Sequence, residues 1–380
     1  MDREELGAWL RLELTPGVGN ATARKLLAAF GLPDQVFSAS RQALEQVVSP
    51  ALSTALQSTP AEFADRLEAA WQWLQTSPQQ RRVLTLGDSS YPQSLLHMED
   101  PPLLLYGMGA ESVWTRGDLS HCMPHSLAVV GSRNPTAQGA VNARQFSKAL
   151  TQAGLTIVSG LALGVDGAAH EGALDGASPD QLATIAVVGT GLDRVYPKQH
   201  RDLAHRIAQH GLLLSEYPLG TPPLSANFPK RNRIIAGLSN GTLVVEAALQ
   251  SGSLITARLA TEQGKEVFAI PGSIHSSQAR GCHALIRLGA KLVESAQDVL
   301  EELLPQTSVP ARATAADTTP TSAPEDSLLE ALGFNPVGLD ALLARTGLDT
   351  PTLQARLMEL EIQGQLARLP GGLFQRMALG

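Results

Sequence analysis

The sequence predicts an α/β protein whose main domain is a doubly wound, mostly parallel sheet, and three observations carry that prediction. First, short apolar runs recur through the middle of the chain: LAVVG (127–131), LTIVSG (155–160), ATIAVVG (183–189), LLLSE (212–216), TLVVEA (242–247), EVFAIPG (266–272) and the shorter AKLVE (290–294). Second, helix-length segments such as AQGAVNARQFSKALTQAG and SLITARLATEQG separate most of them, and alternation of strand with helix is the pattern of a parallel sheet. Third, an earlier run, RVLTLG (82–87), leads through the proline-rich YPQSLLHMEDPPLLLYG into the same domain, which we place at 80–304.

Residues 1–78 read as helical throughout. Within them LTPGVGNATARKLLAAFG (14–31) has a Gly-Val-Gly turn before apolar positions at helical spacing. This fits a helix-hairpin-helix element, whose amides hold a phosphate, and equally a tight turn between two packed helices. Residues 305–324, PQTSVPARATAADTTPTSAP, hold four prolines, no aromatics and one charge of each sign, a composition that predicts a flexible linker. It separates a tail, 325–380, in which GLDALLARTGL (338–348) and TPTLQARLMELEIQGQL (350–366) form a helix-turn-helix pattern. Pro351 marks a helix start, Leu353, Leu357 and Leu360 share a face, and QLARLPGGLFQRM reads as a hairpin around Gly371 and Gly372.

At 380 residues the chain exceeds one ordinary domain of roughly 150 residues. Its two cysteines, Cys122 and Cys282, have no CxxC spacing, so neither a disulfide framework nor a structural zinc site is indicated. The start, MDREELGAWLRLEL, is acidic where a secretory signal would be basic, and no apolar stretch approaches the ~20 residues of a membrane span. A soluble protein of the reducing cytoplasm is expected. The net charge of -7 disfavours a general affinity for polyanions, so any anion site must be concentrated.

In a doubly wound sheet, ligands bind beyond the carboxyl ends of the strands. The loops there are rich in glycine and hydroxyls: Gly131-Ser132-Arg133, SGLALGVDG (159–167), GTGLDRVYP (189–197), Glu246 through SGSLITA (251–257), and Pro271-Gly272-Ser273. Neither the phosphate loop GxxxxGK[ST] nor the dinucleotide fingerprint GxGxxG is present, since Gly189-Thr190-Gly191 is followed by Arg194 where the last glycine belongs. Against this rim, FPKRNR (228–233) crowds Lys230, Arg231 and Arg233 ahead of the fifth strand. Three cations this close cannot all face the core, so at least two are expected over the rim, where with Arg133 they would form an electropositive groove. The plainer alternative is a solvated helix face with Arg233 paired to a carboxylate such as Glu246. Phe228 either stacks on a base or plugs the core.

Catalytic and metal patterns are weak. Ser159, Ser251 and Ser253 sit in no GxSxG elbow, and His170, His275 and His283 have no HExxH-like spacing. Asp166 is expected to cap the helix beginning near Gly167, and Glu246 to fix an arginine.

Taken together, GSR at 131, SGLALGVDGAAH at 159, GTGLDRVYP at 189, SEYPLGTPPLSANFPKRNRIIAGLS at 215, VVEAALQSGSLITARLA at 244 and AIPG at 269 resemble the DprA (Smf) DNA-processing proteins, over about residues 82–300. The resemblance implies a Rossmann-like domain flanked by an N-terminal helical, SAM-like domain and a C-terminal winged helix. It implies a non-enzymatic, homodimeric, cofactor-free protein that binds and protects single-stranded DNA and helps load the RecA recombinase in natural transformation, with single-strand binding protein as a further partner. The family's DNA-contacting positions fall on Gly131, Ser132 and Arg133, and on Phe228, Lys230, Arg231, Asn232 and Arg233; Lys265 stands where relatives place a basic residue. Gly281-Cys282-His283 departs from the common pattern of a small residue followed by asparagine, and 112–125 is longer than expected, which predicts a surface insertion. In the tail, Arg356 against Glu359 and Glu361 suits a protein contact at least as well as a duplex groove. The alternative reading is a nucleotide-processing enzyme of phosphoribohydrolase type. Gly241, Thr242 and Glu246 resemble its G-T-x-x-E element, with one residue more before the acid.

Overall fold

The computed structural model describes residues 1–115, 117, 119–179, 181–304, 327–333, 336–369 and 371–377; the expected linker lies outside them. Nine strands form one sheet: β1 (Arg81–Thr85), β2 (Leu104–Gly109), β3 (Ser126–Val130), β4 (Thr156–Ser159), β5 (Thr184–Val187), β6 (Leu212–Ser215), β7 (Gly241–Val244), β8 (Glu266–Ala269) and β9 (Lys291–Leu292). Their order is β1-β2-β6-β5-β4-β3-β7-β8-β9. β1 and β2 are antiparallel to each other and β2 to β6, whereas every pairing from β6 through β9 is parallel. The proline-rich lead-in thus contributes a strand of its own, because Leu104, Leu105 and Tyr106 are fully buried against β6.

Successive strand residues point to opposite faces, and both faces are covered. Ala128, Val130, Val158, Ile185 and Val187 pack with Ile234, Ile235 and Leu238 of the Asn227–Leu238 helix and Ala257 and Ala260 of the Ser253–Glu262 helix. Leu127, Val129, Ile157 and Leu243 pack on the other side with Ala143 and Leu150 of Ala137–Gln152 and Val165 and Ala169 of Val165–Gly176. Burial on two faces explains why the strands read as unbroken apolar runs.

Six helices between Arg3 and Thr76 build the N-terminal part. Leu6, Trp9, Leu10 and Leu12 of its first helix pack in one core with Val83, Leu104, Tyr106 and Leu213 of the sheet. Gly17, at φ 85°, makes the turn between the Arg3–Leu14 and Asn20–Phe30 helices, closed by Val18 N donating to Thr15 O at 3.0 Å.

The expected surface insertion is instead part of the core. Val113, Leu119 and Met123 are buried in the main cluster, and Trp114 Nε1 donates to Gln80 O at 3.0 Å. The tail is a winged helix: the helices Leu339–Thr346 and Thr350–Ile362 pack on a three-stranded sheet of Val337–Gly338, Leu373–Arg376 and Leu366–Leu369, with Leu353, Leu357 and Leu360 buried. Asp349 caps the second helix by accepting from Thr352 N at 2.8 Å. Among the described residues, no helix is long and apolar enough to cross a membrane.

Candidate nucleic-acid interface

β3 lies between β4 and β7, so the winding of the sheet reverses there. Loops leaving β3 and β7 diverge, and a crevice opens beyond the carboxyl ends of the strands. A cavity of about 390 Å³ occupies it, lined by Gly131 and Arg133 after β3, Ala162 after β4, Phe228, Arg231 and Asn232 of the Asn227–Leu238 helix, and Ser251, Gly252 and Ser253 after β7. Three of the five expected loops therefore meet in one place. Pro271, Gly272 and Ser273 line a separate cleft with Pro336 and Gln375 of the winged helix.

Gly131 permits a close approach in this crevice, since a Cβ there would lie 2.7 Å from Val165 Cγ2 and 2.9 Å from Glu246 O. Ser132 is buried; its N donates to Glu246 O at 2.7 Å and its Oγ accepts from Asn134 N at 3.1 Å. Those two bonds turn the chain so that Arg133 projects into solvent, with no ion pair among the described residues. Its Cζ stands 5.8 Å from the centroid of the Phe228 ring. Tyr196, in the loop after β5, packs on the same ring at 5.4 Å with a 36° tilt. Asn232 Nδ2 donates to Gly252 O at 3.3 Å and ties the helix to the loop after β7.

Several expectations about charge are corrected here. Arg231 does not project over the rim: it is 4% exposed, Nη1 donates to Val187 O at 2.7 Å, and Nη2 stands 4.0 Å from Asp166 Oδ2. Gly160 makes room for it, because a Cβ there would sit 1.6 Å from Nη1. Asp166 is not a cap but lies inside the Val165–Gly176 helix, where Oδ2 accepts from Gly160 N at 3.2 Å and Ala162 N at 3.3 Å. Burial pushes the Arg231 guanidinium below its ordinary value and the Asp166 carboxyl above its own, and their mutual attraction opposes both shifts.

Arg233 pairs not with Glu246 but with Glu216, and its Nε stands 3.6 Å from Asp100 Oδ2. Among the described residues Glu246 fixes no arginine; it accepts from Thr136 N at 2.9 Å and Thr136 Oγ1 at 2.6 Å and so holds the start of the Ala137–Gln152 helix. Lys265 is outside the crevice: it precedes β8, and its Nζ donates to Ala236 O at 2.7 Å and Gly237 O at 2.8 Å, the carbonyl end of the Asn227–Leu238 helix. Burial lowers its ammonium to about 8.

Lys230 is exposed, but it does not line the same cavity. It borders a neighbouring cleft with Glu13, Asp100, Glu216 and Tyr217, its Nζ 6.0 Å from the Tyr217 ring. In the acidic cleft, Glu13 is pushed up to about 8, first by burial and then by Glu216. His283, the departure from the family pattern, has its Nε2 3.0 Å from Gly272 O, and Cys282 is buried beside Val244 O. No cluster of three or more metal-binding side chains occurs among the described residues.

Sequence reasoning missed Tyr196. It was visible within GTGLDRVYP as a large aromatic in a polar loop, 47% exposed in the fold.

The profile of DNA recombination-mediator protein A matches residues 82–304, and that of the DprA winged helix domain matches 310–372. The chain belongs to the DprA family. It is similar to protein Smf of Synechocystis, 35% identical over 99% of this chain and all of that one, and to protein Smf of Escherichia coli, 42% identical over 80% of each. Among solved structures it is similar to DNA processing protein A of Streptococcus pneumoniae, with TM-score 0.62 and 38% identity over 80% of this chain and 98% of that one. It also resembles DNA processing protein A of Helicobacter pylori, a structure concerned with single-stranded DNA binding, with TM-score 0.51 and 31% identity over 59% of this chain and 96% of that one. The Rossmann-like domain and winged helix expected of the family are thus both present.

Proposed function

We propose that the chain binds single-stranded DNA at the switch-point crevice, reading backbone and base faces and not sequence, and that it helps load the RecA recombinase. The observation that carries this reading is Arg133: a solvent-exposed guanidinium with no ion pair among the described residues, beside an aromatic ring and a cavity walled by glycine and serine, in a chain of net charge -7. Gly131 and Ser132 shape the backbone there, Phe228 and Asn232 face it, and Lys230 stands at its flank. Arg231 and Arg233 act as braces that hold the helix carrying these groups. The recombinase partnership rests on the family's description as a recombination mediator. The homodimer is supported by the edge strand β9, which no further strand of the described residues covers and where Leu292 is 46% and nearby Leu288 86% exposed.

The phosphoribohydrolase-type alternative depends on a free acid at Glu246. Both its carboxylate oxygens are taken by Thr136, which counts against it.

Binding to a single strand falls with salt at a log-log slope of about -0.7 per phosphate neutralised. Arg133→Ala should weaken binding severalfold at low salt and make the slope shallower by about 0.7, measured by fluorescence anisotropy with a labelled oligonucleotide. A variant with the parent's affinity and slope would remove the crevice from consideration.

A further inference from the structure

We propose that Tyr196 is the surface on which a nucleobase of the bound strand stacks, with Phe228 serving as its backing. The inference rests on the single-strand reading above and adds a subsite to it. Phe228 is the aromatic that the sequence puts forward, yet its ring is already engaged by the fold. Tyr196 packs on it at 5.4 Å, Arg133 Cζ stands 5.8 Å from its centroid, and Gly189 lies so close that a Cβ there would be 3.1 Å from Phe228 Cδ1.

Tyr196, by contrast, is 47% exposed although it is a large aromatic side chain, and among the described residues its hydroxyl makes no hydrogen bond. A ring that needed only to fill the core would be covered. One held out by a neighbouring ring is already oriented before a ligand arrives, which lowers the ordering cost of binding. The charges around it suit a polyanion: Arg133 stands across Phe228, and exposed Lys198 follows two residues later with no ion pair among the described residues. An aromatic ledge with an arginine at its backing ring and an exposed lysine two residues along the chain fits a nucleotide, with base on ring and phosphates drawn to the cations, and every base offers such a face.

The test compares a homopolymeric single strand with a strand of equal length made of abasic deoxyribose phosphate units. Tyr196→Leu should bind the ordinary strand roughly tenfold more weakly, the scale of one lost base–aromatic stack, with the salt slope unchanged, and should bind the abasic strand as the parent does. Tyr196→Phe should restore the ordinary affinity, because the hydroxyl is not used. Equal losses on both strands, or no loss on either, would overturn the ledge. Should Tyr196→Leu fold poorly, Tyr196→Trp carries the same question: the added tryptophan emission should be quenched by the ordinary strand and not by the abasic one, and absence of that difference counts against the proposal. Failure of the underlying reading looks different, since the parent protein would then bind neither strand or Arg133→Ala would leave the salt slope intact.

Discussion

Two faces of the Asn227–Leu238 helix carry cations with different fates. Phe228, Arg231, Asn232 and Ile235, spaced at three and four residues, turn to the switch-point cavity. Lys230 and Arg233 turn to Glu216, Asp100 and, across the domain boundary, Glu13. Each face spends one arginine on the fold: Arg231 on Val187 O and Asp166, Arg233 on Glu216 and Asp100. What remains for a ligand differs. On the cavity face the free charge comes from across the crevice, as Arg133. On the other face Lys230 has no ion pair among the described residues but stands among carboxylates. Equal charges in the sequence therefore make unequal contributions to an anion site.

The sharpest way to break this comparison is to remove the carboxylate that justifies burying Arg231. Asp166→Ala leaves a guanidinium that is 4% exposed without its counterion, and loss of one partner of a buried pair costs about 3–5 kcal/mol. Urea unfolding should show that loss, while the folded fraction, now more positive, should bind single-stranded DNA no more weakly than before. A variant of parental stability that had lost DNA binding would make Asp166 and Arg231 ligand groups and not braces.

A smaller effect is expected at Lys230. Exposed charges are screened, and the nearby Glu216 and Asp100 already offset part of its field. Lys230→Ala should weaken binding, but by less than Arg133→Ala, and should flatten the salt slope by less than the full ~0.7 expected for one phosphate contact. Replacing both should give nearly the sum, since the two line different cavities. A larger effect at Lys230 than at Arg133 would reverse the order of the two faces.

Much of the fold was legible because burial on two faces writes strands as continuous apolar runs, and glycine marks the turns between them. The parallel strands β3 to β8 coincide, to within one residue at their starts, with runs read from the sequence. β2 was hidden because prolines precede it, and the 112–125 segment because its helices are short and its buried residues few. The site was legible as a place more than as a set of roles. Glycine loops and the FPKRNR segment identified the rim, but which arginine is a brace depends on partners distant in sequence: Asp166 for Arg231, Glu216 for Arg233. No spacing within 227–247 encodes them. The near-contact of Gly160 with Arg231 is similarly a pairing across 71 positions that only the folded chain brings together.

The smallest expected effect tests the correction made for Lys265. As a basic residue ahead of a strand it counted towards the anion site, yet the carboxyl ends of parallel strands and their amino ends are opposite edges of the sheet. The Asn227–Leu238 helix, whose first turn faces the crevice and whose last carbonyls bind Lys265, has 12 residues and so spans about 18 Å. That distance is about twice the screening length of ~8 Å at physiological ionic strength, so the ammonium contributes little to the potential felt at Arg133. Its two bonds to the helix's final carbonyls, by contrast, are lost in Lys265→Ala, at a cost of about 1 kcal/mol. The variant should unfold at slightly lower urea and yet retain the parent's affinity for single-stranded DNA and its salt slope. If the slope instead became shallower, the strand would have to pass around the edge of the sheet, and the crevice would be only part of its path.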